Sequence, residues 1–257
     1  MPLLTDLLEA IGDKRIEVVD LTAPLTENTP VLRLPEPFAN TIGFSLEQIS
    51  RYDEAGPGWY WNNIHTGEHT GTHLDAPVHW LSGKDGLDVS RIPLSTLVAP
   101  AVVLDVSERV EGNPDFLLEV ADVRAWEAEH GPLPSGGWLL LRTGWDEHST
   151  DEERFLNTDD TGSHTPGVSA ECARWLAEET PVAGLGVETV GTDAGCAPAL
   201  EPAFPCHHYF LGAGKSGLTQ LRNLATLPAT GAVLVISPLP IVGGSGSPAR
   251  VYALVER

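Results

Sequence analysis

Five short runs of near-continuous Val, Leu and Ile punctuate the chain: RIEVVDLT (15–22), AVVLDVS (101–107), GWLLLRTGW (137–145), VAGLGVET (182–189) and GAVLVISPL (231–239). Runs of this length that do not alternate with polar residues predict strands covered on both faces of a sheet. Two segments between them carry helical spacing instead. VADVRAWEAEHG (120–131) sets Val120, Val123 and Trp126 on one stripe and ends in Gly131, a favoured stop residue. SAECARWLAEETP (169–181) starts at a Ser169 N-cap, aligns Cys172, Trp175 and Leu176, and stops before Pro181. A further helix is predicted at the start, where Leu3, Leu4, Leu7, Leu8 and Ile11 share a face ahead of Gly12. Asp6 and Glu9 inside that leucine-rich stretch, with no basic segment before it, argue against a signal peptide. Strands alternating with helices predict an α/β fold. With no repeat, low-complexity tract or long linker, one domain over residues 1–257 is expected.

Composition narrows the partners more than it narrows the fold. A net charge of -21 repels phosphate backbones and anionic headgroups, so neither nucleic acid nor a membrane surface is expected as a ligand. A small neutral substrate is compatible with it. No apolar run approaches the roughly 20 residues that span a bilayer. Cys172, Cys196 and Cys206 are too few and too scattered for a disulfide framework or a cysteine zinc site, which makes the cytoplasm the simplest compartment.

The chemistry concentrates in GEHTGTHLDAPVHW (67–80). His65, His69 and His73 are four apart, as on a helical metal motif, but Thr66, Gly67, Thr70, Gly71, Thr72 and Pro77 are poor helix material. In an extended chain the odd positions share a face, so His69, His73, Asp75 and His79 point the same way. Four residues of straight strand span roughly 13 Å, too far for His69 and His73 to meet on one ion, so the segment must bend. Gly71 is placed to supply that bend. Two imidazoles and a carboxylate from His69, His73 and Asp75 then form a partial coordination shell with open positions, and His79 beyond Pro77 is a candidate base beside the metal. His65 is one ligand too many for this geometry and is expected at the surface or behind the ligands.

HTGTHLDAPVH (69–79) resembles the His-x-Gly-Thr-His-x-Asp-x-Pro-x-His signature of the metal-dependent cyclase family, which includes kynurenine formamidases and isatin hydrolases. PDFLL, WEAEHG, GWLLLRTGWD, GSHTPG, GTDAG and GSGSPAR follow in the order and spacing of the isatin hydrolase branch. The resemblance implies a swivelling β/β/α fold, a homodimer or larger homo-oligomer, metal ligation by His69, His73 and Asp75, and proton transfer by His79. It also implies hydrolytic opening of a cyclic amide, isatin to isatinate, with N-formylkynurenine hydrolysis as the alternative. A third reading, a metal-dependent protein that sequesters a small aromatic ligand, leaves His79 without a task.

The formamidases hold a second zinc through a later His and a Glu twelve residues on. Here CHHYFLGAGKSGLTQL offers His207 and His208, and twelve after His208 stands Gln220, a weak bridging ligand. One metal is therefore expected; the resemblance to the isatin hydrolases implies Mn²⁺, which two His, one Asp and waters are hard enough to suit, with Zn²⁺ as the alternative. His207 and His164 resemble positions near the family's active site. Trp59, Trp61 and Trp80 flank the metal segment and are candidate walls for a flat substrate. Asp193 in GTDAG is expected to cap a turn.

Overall fold

Seven strands close into a ring in the computed structural model, which describes residues 2–34 and 36–257. The principal strands are β1 (Ile16–Asp20), β2 (Ser45–Arg51), β3 (Tyr60–His65), β4 (His73–Asp75), β5 (Val98–Asp105), β6 (Trp138–Arg142), β7 (Gly184–Val187), β8 (Ser216–Thr219), β9 (Ala232–Pro238) and β10 (Gly246–Glu256). The ring runs β10-β9-β5-β6-β7-β8-β4 and returns to β10; β1 lies outside it on β10. The run β5-β6-β7-β8 is parallel, and the remaining pairings are antiparallel. Pairing of the Ile16 strand with the Glu256 strand joins the two ends of the chain in one sheet.

Strand alternation sorts the apolar runs into two cores. Trp138 and Leu140 point inward with Ala101, Val103, Leu218, Leu234 and Val251. Leu139 and Leu141 point outward with Val102, Leu104, Leu185 and Val187. Three helices flank the sheet: α1 (Leu3–Gly12), α2 (Val120–His130) and α3 (Ala170–Glu179). Val123 and Trp126 of α2 and Trp175 and Leu176 of α3 cover the outward layer. The predicted ends of these two helices are found: Ser169 accepts from the Cys172 amide, and Gly131 follows α2 with φ 96°. The ring interior is filled by side chains. A Cβ on Gly184 would lie 2.5 Å from Trp138, and one on Gly186 2.6 Å from Leu140. Truncating Leu140 to Ala would cost about 2–5 kcal/mol.

The α/β class holds, and the three central runs are buried on both faces as expected. The outer two are not. In β1 only Val19 is buried and Val18 is 48% exposed, because the strand sits outside the ring with no helix over it. β9 alternates, with Val233 outward and Leu234 inward, since α2 and α3 cover the β5–β7 side. Helix α1 forms, but Leu3, Leu4 and Leu8 are exposed and Ala10 is its one buried residue. The β2–β3 hairpin had no counterpart in the apolar pattern and leaves Leu46, Trp59, Trp61 and Ile64 open to solvent.

Candidate functional site

Strand β4 is three residues long and carries the site on its outer face. Leu74 enters the ring core, so His73 and Asp75 point out of the ring together. Neighbouring strands leave room for them. Gly217 and Gly246 both stand opposite Asp75; a Cβ on Gly246 would reach within 2.6 Å of His69, and one on Gly217 within 3.0 Å of the Asp75 carboxylate.

Residues 67–72 form no strand; they turn, with Gly71 in the left-handed region at φ 67°, where a side chain would be strained and its Cβ would strike Leu25. The expected bend is thus at the expected residue. Two buried threonines fix it: Thr72 donates to the Gln220 carbonyl and accepts from the Ala23 amide, and Thr70 donates to the Ile42 carbonyl. The turn returns His69 to β4, placing its Nδ1 2.7 Å from Asp75 Oδ1. His73 Nε2 lies 3.3 Å from the same oxygen.

Each imidazole is held from behind. His73 Nδ1 lies 2.7 Å from the Gly71 carbonyl, which only a protonated nitrogen can satisfy, so Nε2 carries the lone pair, 3.2 Å from the Thr219 hydroxyl. His69 Nε2 lies 2.9 Å from Ser245 Oγ, which donates to Glu68. A histidine that donates one N–H to a carbonyl or hydroxyl and turns the other nitrogen to a shared carboxylate has the arrangement of a metal ligand. Burial pushes the Asp75 carboxyl up, but the charges and hydrogen bonds of His73 and His69 hold it well below the usual carboxylate range.

His79 is placed by Pro77, which opens a single 3-10 turn ending at His79. That turn does not set His79 apart. It stacks the ring on His69 with centroids 3.9 Å apart, and the ligand atoms of His69, Asp75 and His79 all lie within 4.8 Å of one another. Among the described residues the His79 ring has no hydrogen-bond partner, unlike the rings of His69 and His73. Burial lowers its pKa to about 4 against the opposing pull of Asp75, so the ring is neutral at pH 7. The Gly71 carbonyl fixes the tautomer of His73, whereas no group fixes that of His79.

His207 completes the cluster from a π-helical turn, His207–Leu211. Its Nε2 is 3.8 Å from Asp75 Oδ2, and its ring is 5.5 Å from His79. Trp80 lies 4.9 Å from His207 and 5.5 Å from Phe204, forming an aromatic wall beside the imidazoles.

Other sequence candidates fall elsewhere. His208 packs on Tyr209, next to His207 but turned from the cluster. Trp59 and Trp61 are over half exposed on the hairpin. His164 pairs with Asp115 and Asp159 near the surface, and His65 pairs with Glu47 there. Gln220 is buried but reaches the Pro30 carbonyl. His207 is the one facing Asp75, and twelve residues after it stands Thr219, whose hydroxyl lies 3.0 Å from His73 Nδ1. A cavity of about 590 Å³ lined by Arg142, His148 and Arg154 shares no residue with the cluster.

Ser245, Glu68 and Thr219 were missed by sequence reasoning. Ser245 is 176 residues from the histidine it holds, a separation no local spacing can signal.

The chain is 45% identical over 257 residues to isatin hydrolase of Roseibium aggregatum, spanning 97% of each. A solved isatin hydrolase bound to the product analogue thioisatinate superposes with a TM-score of 0.96 at 43% identity, covering 99% of this chain and 98% of that one. Kynurenine formamidase of Bacillus cereus is 27% identical over 243 residues, 92% of this chain and 97% of the relative. The Cyclase family model matches residues 19–194, a span that contains the whole bent histidine segment and its strand. On that match and these identities, the chain belongs to the Cyclase family.

Proposed function

We propose that this protein is a metal-dependent hydrolase that opens the lactam ring of isatin to give isatinate. The observation that carries the reading is His79, a neutral imidazole without a hydrogen-bond partner, stacked on His69 beside the Asp75 carboxylate and next to the Trp80 wall. Similarity to isatin hydrolases across almost the full chain supports the choice of substrate.

His69 Nδ1, His73 Nε2 and Asp75 Oδ1 would hold the metal; a mixed imidazole and carboxylate set with outer hydrogen bonds already made fits a divalent ion. Manganese is the proposed ion, and zinc suits the same donors. When bound, the ion supplies Lewis acidity, polarising the amide carbonyl and acidifying water. His79 accepts the proton of the attacking water and returns it to the ring nitrogen as the C–N bond breaks. The amine and the new carboxylate stay on one molecule, so one water is consumed and one organic product leaves, together with the proton released as the new acid ionises. Trp80 and Phe204 give the flat substrate an apolar face.

The hydrolysis of N-formylkynurenine is the competing reading. In the resemblance it is tied to a second zinc held through a glutamate, and Thr219 supplies no carboxylate at that place. The proposed compartment is the cytoplasm, and among the described residues no helix is long and apolar enough to cross a membrane. A homodimer is proposed because an isolated two-stranded hairpin exposing Trp59, Trp61 and Ile64 needs a cover, which a second copy would provide. Sedimentation of the Trp61→Ser, Ile64→Ser variant tests that. The function is tested by removing the metal, restoring Mn²⁺ or Zn²⁺ separately, and following isatin and N-formylkynurenine by absorbance. Turnover of isatin is expected; turnover of the second alone overturns the proposal.

A further inference from the structure

Asp193 does more than cap a turn. Its Oδ1 accepts from the Cys206 amide at 2.7 Å, and its Oδ2 accepts from the His207 amide at 3.1 Å and lies 2.5 Å from His207 Nδ1. The carboxylate is buried and receives donors on both oxygens, so it is an acceptor only. The Nδ1 of His207 must therefore carry a proton. Burial lowers the pKa of the ring, but Asp193 and Asp75 raise it above the ordinary histidine value; whenever the ring is neutral, its one proton is on Nδ1 and Nε2 keeps its lone pair. That nitrogen is the one turned to the cleft, 3.8 Å from Asp75 Oδ2 and beside Trp80.

We propose that Asp193 is a positioning residue for the reaction: it fixes the tautomer and the orientation of His207, so that His207 Nε2 faces the cleft as a hydrogen-bond acceptor for an N–H or O–H of the substrate. The same two carboxylate oxygens anchor the first turn of the segment that carries His207, so backbone position and ring state are set by one group. The general logic is that of a buried Asp holding a histidine in one tautomer from behind. His79 and His207 then divide the cleft. His79 has no partner and is free to move a proton, whereas His207 is locked and presents a fixed lone pair.

The kinetic part of the test rests on the isatin reading; the spectroscopic part does not. Ring-nitrogen NMR of the uniformly labelled protein, with His207 identified by the signals lost in His207→Gln, reports the tautomer directly. The expected result is a proton on Nδ1 alone; a ring protonated on Nε2, whether neutral or cationic, overturns the proposal without any activity measurement. Kinetics of Asp193→Asn, His207→Gln and the double variant supply the second arm. Asp193→Asn is expected to lower kcat/KM about 10–100-fold with metal content unchanged, and to cost nothing further in the His207→Gln background. Additive losses, or an Asp193→Asn enzyme with wild-type kcat/KM, overturn it. Should the wild-type enzyme not hydrolyse isatin at all, the functional proposal fails while the tautomer measurement still decides the role of Asp193.

Discussion

Asp75 and Glu188 are both carboxylates buried to within 2% of full enclosure, yet their surroundings assign them opposite states. Asp75 is faced by the imidazoles of His69 and His73, and despite its burial it is held well below the usual carboxylate range. Glu188, just past β7, is faced by the Thr143, Gly144 and Trp145 amides and the Thr143 hydroxyl, all reaching its Oε2. Burial and the nearby Asp146 nevertheless push it up to about 7. Amide donors stabilise a carboxylate but bring no charge, whereas imidazoles can become cations or give their place to a metal. Enclosure alone does not make an acid a ligand; the mobile or exchangeable positive charge beside it does.

The difference can be broken most severely at Asp75. Asp75→Ala removes the oxygen shared by His69 and His73, and the expected outcome is loss of the metal and of turnover, read by elemental analysis and the isatin assay. A fully metallated Asp75→Ala protein would break the comparison. Next in size is His79→Ala, expected to keep its metal and lose about 10²–10⁴-fold in kcat; if the purified variant is metal-free, His79 belongs to the shell.

Glu188 provides a smaller effect with a defined sign. Its carboxyl ionises near 4.5 in an unfolded chain and at about 7 when folded. Between those values the folded state binds more protons, so stability falls as pH rises from about 4.5 to 7, by about 3 kcal/mol in all. Glu188→Gln is expected to flatten that part of the pH profile in denaturant unfolding and to leave metal content as in the wild type. An unchanged slope would mean that the amide donors win and Glu188 is ionised. The smallest effect is expected at the hairpin: His65→Ala, which removes an exposed contact to Glu47, should leave kcat and the unfolding midpoint unchanged, and a lost metal would place His65 in the site after all.

What the sequence revealed of the site was its local part. His69, His73, Asp75 and His79 sit within eleven positions, and the bend at Gly71 follows from the length of an extended residue. The partners that make those side chains work come from far along the chain: Ser245 behind His69, Thr219 beside His73, Asp193 behind His207. The choice between His207 and His208 was open to error for a physical reason. They begin a π-helical turn, whose wider spacing breaks the 3.6-residue rule that assigns faces, so spacing could not tell which of the two meets Asp75. For the fold, run length identified the strands at 101–107, 137–145 and 182–189, but composition could not distinguish β1 at an edge from those at the centre, because which strand is covered depends on where the helices return.

The last strand has a consequence in time. β10 closes the ring by pairing Gly246–Pro248 with β4, and Ser245 immediately before it holds His69. A ribosome finishes residues 67–80 long before residues 245–256, and domains are assembled as the chain emerges. The contact of Ser245 with His69 therefore forms only after residues 245–248 have been made. Until then the three histidines and the aspartate of residues 67–80 include a His69 without its Ser245 contact, while His73 already has the Gly71 carbonyl, and metal loading is expected to follow closure of the ring.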